Sequence, residues 1–178
     1  MESSVFKAAA ETVIQAGPIP IIVNETLLEL LETIMTKDQA RFINIFDKPL
    51  NLDEIRSQSD LKDDALEDML SGLMDNGIIT GMPSRGDGTV VYRLLPLIPG
   101  MFEFTLMRGE TGPKQKKLAH LFHQLFNELA DMVQKNYDAL LPVFQSVPAL
   151  TRVIPVEKEI DQKFEAIMPY EDVKNRQG

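Results

Sequence analysis

Apolar residues recur at three- and four-residue spacing along most of this chain, and short β-prone runs interrupt that rhythm between residues 78 and 94. Residues Phe6 to Ala16 have helical composition, and Gly17, Pro18 and Pro20 stop the helix. The β-branched run Ile19 to Val23 predicts an extended segment before Asn24, a residue suited to an N-cap. A helix follows in which Leu27, Leu28, Leu30, Leu31, Ile34 and Met35 form the apolar stripe, with Glu25, Glu29 and Glu32 on the opposite side. A further helix is predicted from about Lys37 to Phe46, with Ala40, Ile43 and Phe46 turned inward, and Pro49 ends it.

From Leu50 to Arg93 the pattern predicts a helix, a turn, a second helix and a two-stranded wing. Asp53 and Glu54 suit a first helical turn, and Leu52 with Ile55 anchors that short helix. Ser59 and Asp60 are expected to make the turn and N-cap of the second helix, whose buried stripe is Leu66, Met69, Leu70, Leu73 and Met74. Asn76-Gly77 supplies the left-handed residue that stops it. Ile78 to Thr80 and Val90 to Tyr92 then read as strands joined through Pro83 to Gly88. The passage Leu94 to Arg108 is expected to run as an extended, buried crossing, with a short strand or turn around Phe102 to Met107, because Pro96, Pro99 and Gly100 oppose a continuous helix. The longest helical signal extends from Pro113 to about Leu141 and carries Leu118, Leu121, Phe122, Leu125, Phe126, Leu129, Met132 and Val133 at helical spacing. Such a helix either serves as a dimer interface or packs within its own chain.

The pattern therefore predicts a mainly α fold with a small β-hairpin wing: a winged helix-turn-helix followed by a long C-terminal helical extension. Its boundaries fall at 1–20 for an N-terminal helix and linker, 21–98 for the winged-helix domain, 99–150 for the apolar crossing and long helix, and 151–178 for an extended arm and polar tail.

Charge changes what that fold is expected to do. From Asp60 to Asn76 the second helix region carries six acids, Asp60, Asp63, Asp64, Glu67, Asp68 and Asp75, against one base, Lys62. Duplex phosphates attract Lys and Arg and repel such a surface, so a major-groove reading is disfavoured. The wing's Arg85 and Arg93 are the DNA-binding candidates under a regulator reading, with Asp87 between them. Across 178 residues the net charge is −9 and 44% of residues are hydrophobic, which suits a folded domain with a real core. No apolar run approaches the roughly 18–20 residues of a membrane span, and the acid Glu2 and the lack of a continuous apolar segment argue against a signal peptide. The sequence reads as soluble and cytoplasmic.

Little catalytic chemistry is legible. The chain has no Cys, which excludes disulfides, thiolate nucleophiles and thiolate-ligated metals within it. There is no Gly-rich phosphate loop, no activated-nucleophile motif and no carboxylate pair in an apolar setting, so the chain reads as no enzyme. His120 and His123 sit three apart without an HExxH motif, and the expectation is that no metal binds. Lys114, Lys116 and Lys117 form a basic patch at the start of the long helix and are expected to be a solvated face.

The order of elements, with the LxxLxxxGII spacing that leads into the hairpin, resembles winged-helix domains of the MarR and ArsR type. Three passages carry a closer resemblance: VYRLLPLIPGMFEFTLMRG (Val91 to Gly109), TRVIPVEKEI (Thr151 to Ile160) and MPYEDVKN (Met168 to Asn175). Together they are similar to the N-terminal winged-helix-like region of prokaryotic 4Fe-4S ferredoxin-type proteins, a resemblance that covers most of the chain from about Ile21 onward. It implies iron-sulfur clusters in a C-terminal part. None of that family's cluster ligands can be placed on this cysteine-free sequence, which reads as a fragment cut before the cluster domain or as a variant without one, and the polar end VKNRQG favours the fragment.

The function expected from the sequence is a non-catalytic accessory domain of such an iron-sulfur redox protein, docking a protein partner or forming a homodimer. Partner-interface candidates are Asp63, Asp64, Glu67 and Asp68 on the acidic helix, Phe102 and Phe104 in the apolar crossing, and Leu121 and Leu125 on the long helix. The alternative is a dimeric winged-helix transcription regulator. A third class is a small-molecule sensor with its ligand between Phe102, Phe104 and the long helix.

Overall fold

A computed structural model of the chain describes residues 2–19, 21–84, 86–107 and 109–146. Within them lie eight α-helices and a three-stranded antiparallel sheet, the mainly α fold with a small β wing that the pattern predicts. The expected arm at 151–178 lies outside the described residues. The chain divides after Tyr137 into two units, and the core described below belongs to the first.

Helix α1 (Glu2–Gln15) buries Phe6, Ala9, Ala10 and Val13 against α2 (Glu25–Ile34) and α3 (Lys37–Phe42). The small side chains of Ala9 and Ala10 let the three helices approach closely. Asn24 caps α2 as its sequence position suggests, accepting the backbone N–H of Leu27 at 2.9 Å. A reciprocal capping box of Thr36 and Gln39 starts α3. The helix expected to reach Phe46 ends at Phe42 and tightens into a 3-10 turn at Ile43–Ile45, where Asn44 Nδ2 bonds back to the carbonyl of Ala40.

Strand β1 (Leu50–Asn51) leads directly into α4 (Leu52–Gln58), which starts from a second capping box, Asn51 with Glu54. Helix α5 (Asp63–Asp75) starts two residues later than Ser59-Asp60 suggests. Lys62 occupies its N-cap position without a side-chain cap, and Ser59 closes α4 instead. The acids Asp63 and Asp64 in the first turn favour that start through the helix dipole. Its end is as predicted: Gly77 adopts a left-handed φ of 65°, and the N–H groups of Gly77 and Ile78 bond back to Met74 and Leu73.

β2 (Ile79–Pro83) and β3 (Val90–Leu94) form the hairpin, and β1 adds to the far side of β3, giving the order β1-β3-β2. Opposite Tyr92 stand Leu50 on β1 and Gly81 on β2. In the turn of the wing, Asp87 Oδ1 accepts the N–H of Thr89 at 3.0 Å, and this bond holds the Asp87 carboxyl below the ordinary aspartate pKa. A depressed folded pKa adds stability that is complete above the unfolded value and is lost as pH falls through the folded one. In an acid titration followed by NMR, the Thr89 amide should therefore shift with an inflection below the ordinary aspartate value. An inflection at or above that value would remove the bond from the wing.

The crossing after β3 departs from expectation. It turns irregularly through Leu97–Met101, with Leu97, Gly100 and Met101 buried, and then forms a helix, α6 (Phe102–Met107), in place of a strand or turn. Pro99 and Gly100 break the chain ahead of that helix rather than preventing it. Glu103 Oε2 accepts the N–H of Gly100 at 2.6 Å, and the Thr105 hydroxyl bonds back to Met101. Helix α7 (Pro113–Lys135) has Pro in its first turn and spans about 34 Å at 1.5 Å per residue. It stops at Asn136, short of the expected Leu141, where Asn136 Nδ2 bonds to the carbonyl of Met132. Helix α8 (Tyr137–Ser146), with Pro142 inside it, follows, and from Asp138 onward it lies in the second unit.

Candidate functional site

A groove of about 430 Å³ lies between α4, α5 and β3. Leu66, Leu70 and Met74 line it from α5, Leu52 from α4 and Tyr92 from β3, while Asp63, Glu67 and Ser71 stand along the same stretch of α5. These α5 residues fall at spacings of three and four, so one helical face supplies both apolar and acidic lining. Tyr92 reaches the groove because residues alternate across a strand and its cross-strand neighbour, Gly81, has no side chain. The ring lies so close to Gly81 that a Cβ there would stand 3.2 Å from Tyr92 Cε1.

Among the described residues, Arg56 is the one cation lining the groove, and it is already engaged. Its Nε bonds Asp63 Oδ1 at 3.0 Å and its Nη1 bonds Asp53 Oδ1 at 3.3 Å. Asp64, Glu67 and Asp68 are exposed on α5, and no ion pair holds them among the described residues. The four acids singled out from the sequence thus share one exposed helix, and two of them, Asp63 and Glu67, line the groove. Tyr92, Leu52, Ser71, Leu66, Leu70 and Met74 line the groove without being among the interface candidates read from the sequence, and Met74, expected in the buried stripe, is 38% exposed. Period-2 alternation places Tyr92 on the face of β3 shared with Leu94 and was the available signal; the contribution of Leu52 depends on tertiary packing.

The other sequence candidates go elsewhere. Leu121 and Leu125 are 4% and 3% exposed, inside this chain's own core with α2 packed against α7, so neither is open to a second chain. Phe102 is half-buried and holds the rings of Phe122 and Phe126 edge-on, at centroid distances of 4.9 and 5.0 Å. Phe104 is exposed and covers Gly77. The cleft beside Phe104 and Leu118 is about 50 Å³.

Arg85 lies outside the described residues. Arg93 is exposed, on the opposite face of β3 from Tyr92 and close to Phe46–Pro49 rather than to α5. His120 and His123 are both exposed on α7, and His123 Nε2 sits 3.2 Å from Asn127 Nδ2. Among the described residues no group of three or more His, Asp or Glu is placed to hold a metal ion. No described helix is long and apolar enough to cross a membrane. Lys117 bonds Glu29 at 2.9 Å, tying α7 to α2.

A polar clasp that the apolar periodicity hid joins the same two helices. Glu128 accepts hydrogen bonds from Asn24 Nδ2 at 2.7 Å and from the Thr26 hydroxyl at 2.8 Å, and Gln124 Nε2 donates to both Glu128 and Thr26. Its carboxylate therefore sits at the N-terminal end of α2, where the helix dipole favours negative charge. Glu128 is seven residues beyond Leu121 on the buried stripe, and an acid at that register was the signal for a partnered role. Comparison of the chain with protein-family models, with curated proteins and with solved structures finds no match.

Proposed function

We propose that this chain is a non-catalytic interaction domain that docks a protein partner, and that it serves a 4Fe-4S ferredoxin-type redox protein as its accessory domain. The observation that carries the docking role is the groove of α4, α5 and β3: apolar and acidic residues line one open cleft, and no triad, phosphate cradle or metal-ligand set accompanies it among the described residues. The redox setting rests on the resemblance of three passages. The first of them spans β3 to α6, and Thr151 to Ile160 and Met168 to Asn175 lie outside the described residues. The residues present do not fit a cluster, because the chain has no Cys and its described part has no alternative ligand group. Any cluster belongs to polypeptide other than these 178 residues.

A winged-helix regulator would set its second helix against phosphate, and the exposed acids of α5 oppose that. The redox role is tested on the native protein purified from its own cells. A product heavier than 20.0 kDa that contains iron and acid-labile sulfide is expected. An iron-free product of 20.0 kDa would remove the redox role.

A further inference from the structure

We propose that the groove between α4, α5 and β3 takes a cationic amphipathic segment of a partner protein, with apolar side chains entering the cleft and Lys or Arg residues meeting the acids of α5. This assignment rests on the interaction-domain reading and names the chemistry of its partner. The groove's size, about 430 Å³, falls within the roughly 300–1,000 Å³ of clefts that bury most of a ligand. Its apolar lining is partly open to solvent: Met74 is 38% exposed.

Charge selects the occupant. Asp63 and Glu67 line the groove, Asp64 and Asp68 stand beside them on α5, and Arg56 is held by Asp53 and Asp63. A two-fold contact between copies through this groove would bring the same acids against each other, and duplex DNA would bring phosphate against them. Both arrangements place like charges together and are disfavoured. A segment with Lys or Arg around apolar anchors satisfies both features of the lining, and the net charge of −9 adds long-range attraction for it.

The test titrates the 178-residue chain with a synthetic amphipathic peptide of leucine and lysine, and with a twin bearing glutamate for each lysine. Binding of the lysine peptide is expected, with NMR shift changes confined to α4, α5 and β3, and no binding of the glutamate twin. Glu67→Lys and Met74→Asp should each weaken binding by about tenfold, whereas Glu11→Lys, the same charge change on the exposed face of α1, should alter it by no more than about twofold. Ser71→Tyr fills the groove from an exposed position and should weaken binding as Met74→Asp does, with folding of each variant checked by circular dichroism. Equal weakening by Glu11→Lys and Glu67→Lys would overturn the proposal, because attraction would then follow overall charge. So would unchanged binding in folded Met74→Asp and Ser71→Tyr, or duplex DNA displacing the peptide. An iron-bearing native protein whose groove fails these tests removes the groove alone. An iron-free 20.0 kDa product whose groove still selects the lysine peptide removes the redox role and leaves the docking site.

Discussion

Phe122→Ala is expected to cost about 3–5 kcal/mol of unfolding free energy, the usual range for emptying a fully buried aromatic site. Phe122 is 1% exposed, lies on the α7 face that packs with α2, and meets the ring of Phe102 edge-on at 4.9 Å and 71°. Its loss leaves a void against α2 and removes the partner that seats α6 on α7. Domains are stable by only about 5–15 kcal/mol, so a large share of the total is at stake. At roughly 2–4 °C per kcal/mol for a chain of this size, the melting temperature should fall by about 6–20 °C. The drop should be the same at every protein concentration, because the residue is covered by its own chain. A melting temperature that rises steeply with concentration in the wild type and loses that dependence in the variant would instead make this face of α7 a contact between copies.

Gly77→Ala carries the second-largest expected effect, and it tests the junction between α5 and α6. Gly77 has φ 65°, where an L side chain costs roughly 1–2 kcal/mol. An added Cβ would also run into Phe104 Cβ and come within 2.9 Å of its Cγ, and neither atom is the free end of a flexible chain. Overpacking of this kind costs about 1–3 kcal/mol, so a total of roughly 2–5 kcal/mol is expected by chemical denaturation. Combining it with Phe104→Gly should recover the steric part and leave the backbone part. The coupling energy between the two sites should then be about 1–3 kcal/mol. Additive effects of the two substitutions would show that α6 does not rest on the end of α5.

The legible parts of this fold are those that local chemistry decides. The stripe Leu66, Leu70 and Leu73 with the stop at Gly77 defined α5, and the glycine-rich turn between two β-branched runs defined the hairpin. α5 begins beyond the expected start because Ser59 and Asp60 are good capping residues in isolation, whereas in the folded chain Ser59 ends α4. The sequence pattern predicts a short strand or turn around Phe102 to Met107 because Pro99 and Gly100 oppose a helix through them, although they say nothing against a helix that begins just after. The acidic face of α5 was visible from residue types alone. The groove beside it was not, since Leu52, Tyr92 and Met74 come from three elements whose juxtaposition depends on the register of β1, β3 and β2.

By itself, then, the sequence determined the mainly helical class, the wing, the charge of α5 and the absence of thiolate ligands, because each follows from residue type, short-range spacing or composition. Only the tertiary structure decided what covers each apolar face. A periodic stripe states that a face must leave water without stating which surface it meets. That is why Leu121 and Leu125 were legible as an interface to a partner or to the chain itself, and why the packing of α2 and the reach of Asn24 and Thr26 to Glu128 settled them in the chain's own core.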